Sequence, residues 1–361
     1  MRYVVIEKAK PGMVLARPVY DDSNRILLGG GNILNEDKIA KLEYRGFAGV
    51  YIEDELSKDI DIKEVITDDL RNLGIDALKK GDMEAVILVA ECIVDRILNN
   101  SGISIELVDL RSYDEYTYRH SVNVAVLSTV VGLGMGFSQE ELQELCIAGV
   151  LHDIGKLAVS PNLVRKPARL TRAEYEEIKE HPVLSYELLK NRLEISERIK
   201  RVVLQHHENE DGSGYPYQLK GDEIDVFAKI IHVADVYDAL TSKRSYKSAY
   251  AFSEAIEYIM GANGILFNPE VVMIFTRYVA VYPKGTTVTL SDGREAIVIE
   301  NTNNILRPKI RLMNGVHVDL SDELSYMNLT IASVRRTVSP DIDLNVNDNV
   351  MDSAVYRPYY Y

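Results

Sequence analysis

The chain has 361 residues, 46% hydrophobic and 27% charged, a balance that describes an ordinary globular protein and excludes a disordered, fibrous or disulfide-stapled one. That length exceeds what one hydrophobic core organises, so two or three domains are expected. A formal net charge of −14 excludes a broad basic face for nucleic-acid polymers or anionic membranes, but screening beyond about 8 Å leaves room for a small anionic ligand held by a local cluster of Lys and Arg.

The two cysteines, Cys92 and Cys146, sit in apolar helical patterns and can build neither a thiolate cage nor a disulfide framework, which fits a reducing compartment. The N-terminal MRYVVIEKAKPG lacks the apolar core of a signal peptide, and the stretch 122–137 is too short and glycine-rich to span a bilayer. A cytoplasmic protein without membrane insertion is expected.

Residues 1–58 hold short β-type runs (YVVIE, MVLARPVY, RILL, GVYIE) broken by turn residues and read as a small β-rich domain. Residues 59–100 change to helical spacing, with Met83, Val86, Ile87, Val89, Ala90, Ile93 and Ile97 on one stripe. This predicts connecting helices, whose stripe suits core packing before it suits the seam of a homodimer. Residues 101–282 are almost wholly helical in period. Ser138 with Glu141 and Thr171 with Glu174 predict capping boxes, and Asn268-Pro269 predicts an N-cap followed by a first-turn proline. Residues 283–336 flip to strands, TTVTL, EAIVIE, KIRLM and VHVDL, with Asp292-Gly293 and Asn314-Gly315 turns. This predicts an antiparallel meander, and residues 337–361 read as a loosely tethered tail. The expected fold class is therefore mainly α, a helical domain flanked by β segments.

Six of the seven histidines fall between positions 120 and 232, inside the helical region, and most coincide with carboxylates. The signatures are His120; His152-Asp153 with Gly155-Lys156; His181-Pro182; His206-His207-Glu208; and Asp235 with Asp238. Any one of them alone reads as a satisfied interior or loop residue. Five polar interruptions of otherwise apolar helices need one common reason, because imidazoles and carboxylates buried without partners are costly. Nitrogen and oxygen donors without thiolate suit Fe, Mn, Zn or Ni, so a site for more than one ion is expected. Helical spacing puts Lys156 one turn beyond His152 on the same face, pairs Asp235 with Asp238, and pairs Arg244 with Lys247. Asp211-Gly-Ser-Gly-Tyr-Pro216 is a turn in which Gly212 and Gly214 permit close approach, and Tyr215 offers a face for stacking on a base.

Taken together, DEYTYRHSVNVA, LHDIGK, IKEHP, QHHE with DGSGYP, and ADVYDALTSKRSYK resemble the HD-GYP family of metal phosphohydrolases, in that family's order, over positions 114 to 282. The resemblance implies an all-α HD-type bundle and hydrolysis of cyclic di-GMP to linear pGpG, with GMP as the alternative end product. It implies His120, His152, Asp153, His181, His206, His207 and Asp235 as metal ligands, with Asp153 bridging two ions and catalytic alongside Lys156. It implies Gly214, Tyr215, Pro216, Asp238, Arg244 and Lys247 as substrate contacts. His232 matches no family motif and reads as structural, and His317 reads as an exposed residue of the meander.

Phosphodiesters hydrolyse so slowly that general acid–base catalysis, worth ~10²–10⁴, is insufficient alone. A metal-bridging hydroxide attacking phosphorus in line is the expected chemistry. Some relatives carry a glutamate one turn before the first histidine, where a third ion binds. Here that position is Tyr116, while Glu115 is rotated by about 100°. Two divalent ions, iron first, are therefore expected. Two other readings stand beside this one: a hydrolase of another cyclic dinucleotide such as cyclic GMP–AMP, and a cyclic di-GMP receptor without catalysis.

Overall fold

The computed structural model describes residues 1–20, 25–45, 47, 49–62, 65–99, 116–164, 166, 170–242, 252–302 and 304–333, the side chains of 116 and 117 excepted. The N-terminal segment forms β1 (Arg2–Val5), β2 (Val14–Leu15), β3 (Val19–Tyr20), β4 (Ile26–Leu28), α1 (Glu36–Tyr44) and β5 (Gly49–Glu53). The strands make an antiparallel sheet in the order β1-β5-β2 and a separate β3-β4 pair. α1 was not among the expected elements. It starts on the Asn35 side chain, which accepts from Lys38 N at 2.9 Å, and only Leu42 of its residues is buried, so its hydrophobic period is faint.

The connecting helices are α2 (Asp68–Lys80) and α3 (Met83–Asn99). The stripe on α3 goes to the core: Met83, Val86, Val89, Ala90, Ile93 and Ile97 are buried in the main hydrophobic cluster, Ile87 is partly buried against it, and Val94 joins it. The helical part continues with α4 (Tyr116–Gly134), α5 (Gln139–Leu151), α6 (Pro161–Val164), α7 (Arg172–Ile178), α8 (His181–Leu189), α9 (Glu197–Gln205), α10 (Val226–Thr241), α11 (Phe252–Gly261) and α12 (Pro269–Tyr278). Both expected capping boxes form, and Asn268 caps α12. α4 is the axis of the bundle. Val122, Val124, Ala125, Val126, Leu127, Val130 and Val131 are wholly buried on every side of it, because α2, α5, α10 and α12 pack around it.

After the helices come β6 (Thr287–Leu290), β7 (Glu295–Glu300), β8 (Lys309–Leu312), β9 (His317–Asp319), α13 (Glu323–Tyr326) and β10 (Ile331–Ser333). The meander predicted four strands and the sheet has five, in the order β10-β6-β7-β8-β9. β10 is three residues long and returns to the free edge of β6 after a short helix, a tertiary pairing that no local pattern announces. The two β parts also meet each other. Tyr3 N donates to Gly285 O at 2.9 Å, Arg311 makes a two-pronged ion pair with Asp59 at 2.6 Å, and Tyr3, Tyr51, Ile60, Ile62 and Ile297 share one apolar cluster.

α4 crosses α5 closely at Gly149, where an added Cβ would lie 2.7 Å from Ala125 Cα. Gly149→Val is therefore expected to force the two helices apart and destabilise the fold by about 1–3 kcal/mol, read as a lower urea midpoint with an unchanged slope. A midpoint equal to that of the unmodified protein would show that the helices separate freely.

Candidate metal centre

Five short stretches carry the signatures, and each lies on α4, at a helix end or on a helix packed against α4. His120 is in the second turn of α4; His152 caps the C-terminus of α5 and Asp153 follows it; His181 opens α8; His206 caps α9 with His207 next; and Asp235 is midway along α10. The turn after Asp153 is a 3₁₀ helix, Ile154–Ala158. With three residues per turn, Lys156 lies over Asp153, not over His152 as α-helical spacing predicts, and its Nζ is 2.5 Å from Asp153 Oδ2. Gly155 allows that turn to touch α8: an added Cβ would stand 2.1 Å from the His181 carbonyl oxygen. Gly155 N donates to Ser185 Oγ at 2.8 Å, and Ser185 Oγ donates to the His152 carbonyl at 3.0 Å, so the His152-Asp153 turn is fastened to the helix that starts with His181.

Three histidines use one device. The Nδ1 of His152, His181 and His206 lies 2.8, 2.8 and 2.7 Å from the carbonyl oxygens of Gly149, Ile178 and Val203, each three residues earlier and each in the last turn of a helix. A carbonyl only accepts, so each Nδ1 carries the proton and each Nε2 presents a lone pair. Those carbonyls are among the groups a helix end leaves unpaired, so one bond caps the helix and sets the tautomer.

The lone pairs converge. His181 Nε2 is 3.2 Å from His206 Nε2 and 3.1 Å from His207 Nε2. Asp153 stands between two sets of imidazoles: Oδ1 is 3.2 Å from His181 Nε2 and 3.9 Å from His206 Nε2, whereas Oδ2 is 3.4 Å from His152 Nε2 and 3.8 Å from His120 Nε2. The donors fall into two buried groups, Asp153-His181-His206-His207 and His120-His152-Asp235, each with its ligand atoms within 4.8 Å of one another. His152 Nε2 and Asp153 Oδ1 are buried without a hydrogen-bond partner. Orphans of this kind cost about 1–3 kcal/mol each. An all-nitrogen-and-oxygen donor set facing inward with unused lone pairs fits divalent cations.

Electrostatics point the same way. Burial holds the His206 and His207 imidazoles well below their ordinary range and lowers His181, so all three favour the neutral, ligating form. Burial acts to raise Asp153, but the Lys156 ammonium and His152 outweigh it and hold the carboxyl well below the usual range. Burial also opposes charge on His120, yet hydrogen bonds to Asp235 and Asp238 push it up to about 9. That ring sits where the two carboxylates favour a positive charge at Nε2, whether a proton or a cation.

Beside the donor groups, Gly214 lets the 209–220 loop fold onto the histidines: an added Cβ would be 2.3 Å from Asn209 N and 2.6 Å from the His207 carbonyl oxygen. Tyr215 stacks on His207 with ring centroids 4.7 Å apart, and Pro216 follows it. Asp238, which the resemblance puts in contact with substrate, is buried with Oδ2 2.7 Å from His120 Nδ1 and Oδ1 accepting from Asn123 Nδ2 at 2.9 Å. Arg244 and Lys247 lie outside the described residues, as do Glu115 and the Tyr116 side chain that bear on a third ion. His232 is buried edge-on to Phe267, and burial pushes it down to about 4. His317 is exposed on β9 and accepts from Arg311 Nε at 2.8 Å.

Sequence reasoning named Glu208 within a signature but gave it no role. Its carboxylate is buried and accepts from Tyr217 N at 2.7 Å and Leu219 N at 3.0 Å, cradling the loop that carries Tyr215. The signal was an acid directly after two histidines with no basic residue in helical register; its partners are backbone amides, which a sequence does not advertise.

A family model described as "HD domain" matches residues 106–271. A cyclic di-GMP phosphodiesterase of Pseudomonas aeruginosa, PA4108, is 36% identical over 217 residues, which is 60% of this chain and 52% of that protein. A 3'3'-cGAMP-specific phosphodiesterase of Vibrio cholerae, number 3 of its series, is also 36% identical, over 165 residues, 46% of this chain and 35% of that one. The chain thus spans about half, or less, of the length of these curated relatives. Among solved structures, Bd1817, an HDG"Y"P protein of Bdellovibrio bacteriovorus, superposes with a TM-score of 0.50 at 16% identity, covering 76% of this chain and 97% of that one. Residues 106–271 thus match the HD domain model, and the fold over most of the chain is similar to that of an HDG"Y"P protein.

Proposed function

We propose that the chain is a metal-dependent phosphodiesterase that hydrolyses cyclic di-GMP to linear pGpG. The observation that carries this reading is the Asp153 carboxylate, with one oxygen turned to each of two buried donor groups. His181, His206 and His207 would hold one divalent ion, and His120, His152 and Asp235 another, with Asp153 shared. Iron comes first among Fe, Mn, Ni and Zn for such a donor set. Two such ions, when bound, lower the pKa of water and neutralise charge on a phosphoryl group.

The remaining steps belong to the side chains. Lys156 is a quarter exposed and leans over Asp153, so its ammonium fronts the open side of the centre. There it can neutralise a non-bridging phosphate oxygen or deliver a proton to the leaving ribose oxygen. Tyr215, backed by His207, would meet a guanine face, and Arg244 and Lys247 would anchor the phosphates. Asp238 holds the His120 ring in place from behind. The reading keeps the cytoplasm as the compartment, in keeping with the free thiols of Cys92 and Cys146. Among the described residues no helix is long and apolar enough to cross a membrane.

Asp153→Ala is expected to abolish stoichiometric metal binding and to lower kcat more than about 1000-fold, on the order of 4 kcal/mol. Full metal content with normal turnover in that variant would exclude a shared carboxylate. Lys156→Ala is expected to retain its metals and lose about 10²–10⁴ in kcat, since Lys156 acts on the substrate oxygens and not on the ions.

Tyr215→Ala removes a stacking face worth roughly 1–3 kcal/mol per base, and Glu208→Ala releases the loop at a cost of about 1–3 kcal/mol. Both are expected to raise KM for cyclic di-GMP by roughly 5- to 150-fold with metal content unchanged. An unchanged KM in both variants would move the substrate away from this loop. Turnover of cyclic di-GMP and cyclic GMP–AMP side by side decides between the two dinucleotides, and faster hydrolysis of the mixed one would overturn the first assignment.

A further inference from the structure

A chain of hydrogen bonds enters the centre from outside the matched domain. Arg71, half-buried on α2, donates from Nη1 to Asn123 Oδ1 on α4. Asn123 Nδ2 donates to Asp238 Oδ1 at 2.9 Å, Asp238 Oδ2 lies 2.7 Å from His120 Nδ1, and His120 Nε2 lies 2.9 Å from Asp235 Oδ1. Asn123, Asp238 and His120 are all buried. The helices are close enough because Gly74, three residues after Arg71, has no side chain: an added Cβ would stand 3.0 Å from Val122 Cγ2.

The first link determines the direction of the others. A guanidinium has donors and no acceptor, so it fixes which end of the Asn123 amide is the oxygen. The amide nitrogen must then point at Asp238, where a carboxylate oxygen accepts it. The other carboxylate oxygen accepts from His120 Nδ1, which leaves Nε2 as the nitrogen turned toward Asp235 and the interior. Without Arg71 the amide can rotate and set its oxygen against the carboxylate, which would loosen the His120 ring.

We propose that Arg71 is a positioning residue for the metal centre: a helix outside residues 106–271 sets, through Asn123 and Asp238, the affinity of the His120-His152-Asp235 group for a divalent cation. A shift of α2 along α4 would change that affinity and leave the other group untouched. The proposal rests on His120 being a metal ligand, and its test separates the two claims.

The full chain, stripped with a chelator, is titrated calorimetrically with Mn²⁺. The unmodified protein is expected to bind two ions. Arg71→Met, which keeps the apolar stem, is expected to weaken one of them by about 10–100-fold and to leave the other unchanged. Arg71→Lys returns a single donor to the same place and is expected to restore the lost affinity. Wild-type affinity at both sites in Arg71→Met overturns the proposal, and so does an equal loss in Arg71→Met and Arg71→Lys, which would trace the effect to packing. If circular dichroism shows that Arg71→Met does not fold, Asn123→Asp carries the test. It sets a carboxylate against Asp238, the same selective loss is expected, and wild-type affinity overturns the proposal. Absence of stoichiometric Mn²⁺ binding in the unmodified protein overturns the metal reading itself.

Discussion

The structure is organised around one electrostatic constraint: five imidazoles and two carboxylates are buried together at the middle of a helical bundle, with lone pairs facing lone pairs. In a medium from which water is excluded, such a cluster is unfavourable unless cations sit among the donors. The apolar walls of α4, α5 and α10 supply the exclusion, and the histidines supply the demand for positive charge. The same burial that would disfavour each group alone keeps His206 and His207 neutral and therefore able to ligate.

Helix ends meet that demand economically. His152, His181 and His206 each satisfy a carbonyl that a terminating helix leaves open, so capping and tautomer selection are a single event. The donors stand on rigid elements and not on free loops. The His152-Asp153 turn is locked to α8 through Gly155 and Ser185, and the 209–220 loop is locked to the histidines through Gly214 and Glu208. A side chain at either glycine would collide with backbone, which is harder to move than a neighbouring rotamer.

The flanking β segments join the bundle by a different logic. Their shared cluster around Tyr3, Tyr51 and Ile297, with the Arg311–Asp59 pair at its rim, ties the two ends of the described chain together. α2 follows the segment of Ile60 and Ile62 in the chain, so Arg71 stands between the β parts and the buried donors.

Much of this was legible in the sequence because it depends on local chemistry. The capping boxes at Ser138 and Thr171, the stripe on α3, the strand run after Pro283 and the His/Asp signatures are written in residue type and spacing, which is what local structure responds to. α1 and β10 were not legible: the first has a single buried anchor in Leu42, and the second exists only as a partner for the edge of β6. The α-helical register assigned to Lys156 gave way to a 3₁₀ turn, because contact between Gly155 and α8 tightens the chain there. Signatures scattered over more than a hundred positions could announce a metal site, but not which donors share a group. That division, the placement of Asp153 between the groups, and the path from Arg71 to His120 arise from helices distant in sequence crossing at fixed distances, and only tertiary packing sets those distances.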